Sequence, residues 1–231
     1  MNDRSVQLPF TTQQTCILAS PSTPSSESPP PLLVAIHGYA QTGERHQRWT
    51  KQSVPAHFAA AFPDGFHRFE VRRSGRKPRI GFAWYTYTDD RPAFLASLVE
   101  SEASLWRMID RLAEELGADG SRVWLTGFSQ GAYLVNYASM MHPERIAGWV
   151  AQCGNMREDY LQGHKPDLSG KPVLLQYGEH DEALPRGAAP SCRDLLVAHG
   201  ADVTFAMHDA PHAITPAMAD EARAFMETHE P

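Results

Sequence analysis

The sequence has few cysteines, no excess of positive charge and no long apolar run. Its three cysteines, Cys16, Cys153 and Cys192, are irregularly spaced and provide neither a disulfide framework nor a zinc pattern. We therefore expect free thiols in a reducing compartment. The formal net charge of −6 argues against a nucleic-acid binder, because neutralising phosphates requires a basic surface.

Signals for membranes, export and cofactors are also missing. No apolar stretch approaches the ~20 residues of a membrane span, and no apolar segment follows the initial MNDRS to indicate a signal peptide. The sequence contains no HExxH, no GxxxxGK[ST] and no GxGxxG motif. We expect a cytoplasmic protein without an integral membrane segment, metal or cofactor.

The composition is that of an ordinary globular protein. Of 231 residues, 42% are hydrophobic and 21% charged, which is enough to bury a sizeable core. The only low-complexity piece is SPSTPSSESPPP at residues 20–31, which fits a turn between two early strands. The sequence has no internal repeat, and we expect residues 1–231 to form a single domain.

Segments typical of strands and helices alternate along the rest of the chain. The apolar run LLVAI at 32–36 is typical of a strand buried on both faces. Further strands are predicted at 59–62, 123–126, 146–151, 173–177 and 203–207. Helices are predicted at 93–116, 131–141, 187–199 and 216–228. This alternation predicts an α/β fold with a mostly parallel central sheet, helices on both faces and ligand sites at the carboxyl ends of the strands.

The motif that carries chemistry is GFSQG at residues 127–131. It directly follows a predicted strand and directly precedes a predicted helix. A nucleophilic serine at such a turn has strained backbone angles, and the flanking glycines avoid clashes there. Ser129 is therefore the candidate nucleophile.

A serine hydroxyl is a weak nucleophile until a histidine accepts its proton and a carboxylate orients that histidine. Asp181 follows the predicted strand 173–177, with Glu179 as the rival carboxylate. His212 follows the strand 203–207 and precedes the last helix, with His208 as the rival base. We favour Asp181 and His212, which come in the order expected for this type of turn.

Acyl transfer also needs donors for the developing oxyanion, each worth about 3–4 kcal/mol of barrier. The backbone N–H of Gln130, directly after the serine, is one candidate. The loop HGYAQTG at 37–43 follows an early strand, and the Tyr39 N–H is the second candidate. Gly38 permits a tight turn, and we interpret His37 as a structural organiser of this loop.

The blocks AIHGYAQTG, GFSQGA, GEHDEALP and PHAITP together resemble the carboxylesterase/phospholipase family of α/β-hydrolases, which includes acyl-protein thioesterases. The resemblance spans about residues 32–229. It implies a single-domain α/β-hydrolase without a large cap domain, which hydrolyses carboxylic esters or thioesters through an acyl-serine intermediate. By this likeness Ser129, Asp181 and His212 match the family's catalytic triad, and Tyr39 and Gln130 match its oxyanion pair.

Two positions depart from the family pattern. Pro211 stands where a glycine usually precedes the catalytic histidine, and its fixed φ changes how the loop approaches His212. Ala40 stands where the family usually has a second glycine after the HG pair.

The segment 66–92 resembles the family's aromatic stretch near the mouth of the active site. Trp84 and Tyr85 are candidate substrate-binding residues, although packing of the segment onto the core is an equally good interpretation. The segment also carries a basic cluster, which is either a solvated loop or a site for an anionic substrate group or an acidic partner. This cluster comprises Arg68, Arg72, Arg73, Arg76, Lys77 and Arg79.

Two other functions remain open at this point. The chain could be a non-catalytic binding relative, although it retains all three triad residues. It could also catalyse another reaction on the same fold, such as that of a peptidase or a lactonase. The expected partner is a small-molecule ester or thioester, and the oligomeric state, monomer or homodimer, is left open.

Overall fold

The computed structural model describes residues 13–23 and 28–230. The strands are β1 (Cys16–Ala19), β2 (Pro31–Ile36), β3 (Ala59–Pro63), β4 (His67–Val71), β5 (Arg79–Ala83), β6 (Asp119–Phe128), β7 (Gly148–Gln152), β8 (Pro172–Gly178) and β9 (Asp202–His208). The helices are α1 (Gly43–Thr50), α2 (Arg91–Leu116), α3 (Gln130–Met141), α4 (Ala188–Ala198) and α5 (Pro216–His229).

Seven strands form one sheet in the order β1-β3-β2-β6-β7-β8-β9. Only β1 runs antiparallel to its neighbour, and the other pairs in this sheet are parallel. The strands β4 and β5 form a separate antiparallel hairpin. The predicted α/β class with a mostly parallel central sheet is therefore confirmed.

Alternate residues of the central strands enter two cores, one on each face of the sheet. On one face, Leu32 and Val34 of β2 pack with residues of α2, α3 and α4. On the other face, Leu33 and Ala35 pack with residues of α5, including Met226. Burial on both faces explains why β2 reads as a continuous apolar run.

Local signals set the ends of the longer helices. Asp90 accepts a hydrogen bond from the Ala93 N–H at the start of α2, and Gly117, with φ of 59°, follows its last residue. At the start of α5, Thr215 accepts from the Met218 N–H. Among the described residues, every helix is too short or too polar to cross a bilayer.

Short elements were missed by the sequence patterns. The helix α1 and the β4–β5 hairpin were not predicted, because each is short and only partly apolar. The strand β1 precedes the Ser/Pro-rich piece, as expected for a turn between two early strands, although its bounds were not predicted. The predicted strand at 146–151 begins later, at Gly148, because residues Pro143–Arg145 form a 3₁₀ turn before it. Of the Ser/Pro-rich piece at 20–31, residues 24–27 lie outside the described residues, and Pro31 already belongs to β2.

The turn between β6 and α3 leaves no room for a side chain at Gly131. A Cβ there would lie 2.2 Å from the Ile36 carbonyl oxygen. We expect Gly131→Ala to lower the free energy of unfolding by about 1–3 kcal/mol, because the helix and β2 would have to separate. Urea unfolding followed by circular dichroism measures this loss.

Gly120→Ala is the matched control for this substitution. A Cβ at Gly120 meets only the Ala113 Cβ, at 3.8 Å, which is an ordinary contact. Its effect should stay within about 0.5 kcal/mol. Equal losses at the two glycines would contradict the steric argument.

Candidate active site

Ser129 lies at the turn between β6 and α3, where the sequence predicted it. Its φ of 53° and ψ of −118° place it in a conformation that costs a non-glycine residue about 1–3 kcal/mol. Its backbone N–H donates to the Gln152 carbonyl at 2.9 Å, which ties the turn to the end of β7. A strained residue held by the surrounding structure is typical of a nucleophile elbow.

The structure brings Ser129, His212 and Asp181 together. His212 Nε2 lies 2.8 Å from Ser129 Oγ, and its Nδ1 lies 2.7 Å from Asp181 Oδ2. A carboxylate on the Nδ1 side favours the tautomer whose Nε2 carries a lone pair toward the serine hydroxyl. In this arrangement the imidazole can accept the proton of Ser129.

Hydrogen bonds from the backbone hold Asp181 in place. Its side chain is 4% exposed, and Oδ1 accepts from the N–H groups of Ala183 at 2.9 Å and Leu184 at 3.3 Å. One carboxylate oxygen is thus fixed by the backbone, and the other is left for His212.

The rival residues lie outside this arrangement. His208 Nε2 is 3.0 Å from Glu221 Oε2 instead. Glu179 is exposed, and its backbone N–H donates to the His208 carbonyl at 2.8 Å. Neither side chain is hydrogen-bonded to Ser129 or His212.

The loop that carries His212 accommodates Pro211 without losing a hydrogen bond. The N–H of His180 donates to the Ala210 carbonyl at 3.0 Å, and the N–H of Ala213 donates to the Pro211 carbonyl at 2.7 Å. The second bond closes a three-residue turn centred on His212. These bonds use the carbonyls of Ala210 and Pro211, and neither requires an N–H at position 211.

Cys153 packs against the acid–base pair, and sequence reasoning gave it no role. It is fully buried with φ of 51°, and its Sγ lies within 4.8 Å of ligand-type atoms of Asp181 and His212. Burial first, and then the charge of Asp181, raise the pKa of the thiol to about 12. The thiol is therefore protonated at neutral pH.

The two candidate oxyanion donors belong to segments that adjoin Ser129. Gln130 is the first residue of α3, whose N–H has no partner within the helix. A Cβ on Gly38 would lie 3.4 Å from the Ser129 Cβ, so the loop carrying Tyr39 runs directly beside the serine. Within residues 13–23 and 28–230, the Tyr39 and Gln130 N–H groups have no protein acceptor.

The Gln130 side chain has a second structural role that the sequence did not reveal. Its Oε1 accepts from the Trp84 N–H at 3.1 Å, and its Nε2 donates to the Tyr85 carbonyl at 3.0 Å. The side chain thereby fastens the segment at 84–85 to the start of α3. Losing both bonds would leave buried backbone groups unpaired, at a cost of about 1–3 kcal/mol each.

His37 holds the loop at residues 37–43 in place rather than contacting a substrate. Its Nδ1 lies 2.8 Å from the Gly38 carbonyl and its Nε2 accepts from the Gly65 N–H at 3.0 Å. Its own carbonyl accepts from Trp84 Nε1 at 2.8 Å. Burial lowers the pKa of His37 to about 4, so the ring is neutral when it makes these bonds.

Buried neutral histidines make the stability fall in acid. The pKa of His37 is lowered to about 4, and the pKa of His46 to about 3, by burial and then by the charge of His37. In the unfolded chain a histidine has a pKa of about 6.5. Below this pH the unfolded chain therefore binds more protons than the folded chain, and the free energy of unfolding falls as the pH is lowered, until the pKa of the folded state is reached. At pH 4.5 we expect each histidine to have lowered the free energy of unfolding by about 2–3 kcal/mol.

Urea unfolding at pH 7 and at pH 4.5 measures this dependence. A His46→Leu variant should lose less stability between these pH values than the unsubstituted chain, whatever its stability at pH 7. Parallel losses in the two proteins would show that His46 does not contribute.

A cavity of about 630 Å³ opens beside Ser129 and His212. Its walls are largely aromatic, and Tyr39 stacks on Phe69 with ring centroids 5.1 Å apart. Of the two candidate substrate-binding residues, Tyr85 lines the cavity, whereas Trp84 is fully buried behind its wall. The aromatic residues that line the cavity are Tyr39, Phe69, Tyr85, Tyr87 and Tyr133.

Comparison with known proteins places this geometry among hydrolases. A family model described as phospholipase/carboxylesterase matches residues 20–230. Acyl-protein thioesterase 1 of Eremothecium gossypii is 29% identical over 130 residues, which cover 53% of this chain and 55% of that protein. Acyl-protein thioesterase 1 of Schizosaccharomyces pombe is 25% identical over 163 residues, which cover 66% and 69%. The match to the first relative thus spans about half of its length.

A solved structure shows the same fold. The carboxylesterase of Bacillus cereus superposes with a TM-score of 0.75 at 16% identity, covering 94% of both chains.

Proposed function

The chain belongs to the phospholipase/carboxylesterase family of α/β-hydrolases, and on that premise we propose that it is a serine hydrolase of carboxylic esters or thioesters. The observation that carries the proposal is the continuous hydrogen-bonded series from Asp181 through His212 to Ser129. The open cavity beside the serine supplies room for a small-molecule substrate.

We propose that Ser129 Oγ attacks the substrate carbonyl while His212 Nε2 accepts its proton. Asp181 stabilises the resulting imidazolium through Nδ1. The N–H groups of Tyr39 and Gln130 donate to the oxyanion of the tetrahedral intermediate. Collapse of this intermediate releases the alcohol or thiol, which receives its proton from His212.

Water then resolves the acyl-serine intermediate. His212, neutral again, accepts a proton from the water as its oxygen attacks the acyl carbonyl. The second tetrahedral intermediate uses the same two donors and releases the carboxylic acid and the free Ser129 hydroxyl. The steps require neither a metal nor an organic cofactor.

We further propose that residues 1–231 act as one domain and that the protein works in the cytoplasm. The single seven-stranded sheet supports the first proposal. For the second, Cys16, Cys153 and Cys192 are free thiols, which suits a reducing compartment.

A fluorophosphonate probe and a substrate panel test the proposed activity. We expect the probe to label Ser129, as read by peptide mass spectrometry, and we expect turnover of p-nitrophenyl esters or of short acyl thioesters. No labelling of the folded protein, or activity on peptides or lactones with none on esters and thioesters, would overturn the proposal.

A further inference from the structure

The β4–β5 hairpin concentrates positive charge in a chain whose net charge is −6. Together with Arg45 of α1, four cations at and beyond the turn of this hairpin form what we term the basic patch. Arg45 is close enough to act on the hairpin, since it contributes with Arg73, after burial, to lowering the pKa of Arg79. The basic patch comprises Arg45, Arg73, Arg76, Lys77 and Arg79.

The cations of the basic patch differ from most arginines of the chain in how they are paired. Within the part of the chain that the structure describes, none of them has a carboxylate oxygen within 4.0 Å. The neighbouring Arg72, in contrast, is paired with Glu70. Grouped and unpaired like charges repel one another, so this surface is suited to binding a counter-anion.

The hairpin is attached to the loop that carries the candidate oxyanion donor. The Ala40 N–H donates to the Phe82 carbonyl, and the Phe82 N–H donates to the Gln41 carbonyl, each at 2.9 Å. Phe69 of β4 stacks on Tyr39. These contacts hold the hairpin in a defined position beside the cavity.

The basic patch begins where the cavity wall ends. His67 and Phe69 of β4 line the cavity. Residues directly opposite in an antiparallel pair share a face, so Val71 and Arg79 continue the face of Phe69. They lie two residues, or about 7 Å, farther along the hairpin.

From this juxtaposition we infer that the substrate carries phosphate groups on its alcohol or thiol portion, bound by the basic patch. The acyl group stays on Ser129 after the first step and belongs inside the cavity. The alcohol or thiol portion, which departs in that step, leaves through the mouth of the cavity. Several clustered guanidinium groups match a multiply charged phosphate better than a single carboxylate. The inference rests on the proposed hydrolase function and specifies its substrate class.

Two non-hydrolysable thioethers test this inference. S-butyl coenzyme A and S-butyl pantetheine share the same alkylthio end, and only the first carries phosphates. Each is assayed as a competitive inhibitor of p-nitrophenyl butyrate hydrolysis. We expect the coenzyme A derivative to have an inhibition constant about tenfold lower at low ionic strength, and the difference to vanish near 0.5 M salt.

Charge reversal assigns the effect to the basic patch. The double variant R73E/R79E should lose the difference between the two inhibitors. The matched control R107E/R111E changes the net charge equally on the exposed side of α2 and should retain both the difference and the basal turnover.

The outcomes separate this inference from the proposed function. Equal inhibition by the two thioethers, with p-nitrophenyl butyrate still turned over, overturns the inference alone. So does an equal loss of the difference in R107E/R111E. Absence of turnover of p-nitrophenyl butyrate and of any other ester or thioester counts against the hydrolase function itself.

Discussion

Ser129→Ala is expected to lower kcat for p-nitrophenyl butyrate by about 10⁴–10⁶-fold. The hydroxyl oxygen is the atom that attacks the carbonyl, and His212 Nε2 at 2.8 Å has no other proton to accept in the first step. The remaining rate would come from the oxyanion donors and from substrate binding. Steady-state assays at high enzyme concentration measure the loss, with fluorophosphonate titration giving the active-site concentration of the unsubstituted chain and any trace of it in the variant.

Three further measurements serve as controls for Ser129→Ala. Ser129 makes no side-chain bond that caps α3, so the alanine variant should fold with little change in stability. A combined Ser129→Ala, His212→Ala variant should be no slower than either single variant, because the two groups act as a unit. Ser104→Ala, at a half-buried serine on α2 whose hydroxyl donates to the Glu100 carbonyl, should retain full activity. Substantial turnover by Ser129→Ala would refute the assignment of the nucleophile.

Asp181→Asn is expected to lower kcat by about 10³–10⁴-fold while leaving the fold intact. The asparagine oxygen can still accept from the Ala183 and Leu184 N–H groups. Its NH₂ group, however, faces His212 Nδ1, where it can only donate. The imidazole then carries its proton on Nε2, directed at Ser129, and cannot accept the serine proton.

The pattern of effects across three assays identifies this mechanism. Thermal unfolding of Asp181→Asn should be close to that of the unsubstituted chain, while fluorophosphonate labelling of Ser129 becomes slow. Glu179→Gln, two residues away on the exposed loop, should change neither activity nor labelling. Wild-type kcat in Asp181→Asn would show that another carboxylate orients His212.

The sequence was most informative where local pattern and burial agree. The apolar runs of β2 and β8 and the periodic apolar spacing of α2 predicted those elements within about two residues. The order of motifs along the chain then predicted which side chains would meet at one edge of the sheet. Ser129, Asp181 and His212 could be selected because each follows the carboxyl end of a strand, Ser129 directly and the other two within four residues.

Features that depend on tertiary contacts could not be predicted from the sequence. Trp84 and Tyr85 are adjacent aromatic residues, yet only the fold decides that Tyr85 lines the cavity while Trp84 donates to the His37 carbonyl. The contact of Cys153 with the acid–base pair joins residues far apart in sequence. The side-chain bonds of Gln130 likewise join α3 to a segment more than forty residues earlier.

The attachment of the hairpin has a consequence for how a chain of this fold can acquire new specificities. Its base contacts the loop at 38–41 through Phe82, whereas the turn at 72–78 is exposed and reaches past the cavity. Loops of this kind tolerate insertion and exchange. The length and charge of this turn can therefore diverge between homologues that descend from one ancestor. The residues proposed to carry out hydrolysis can meanwhile be inherited unchanged.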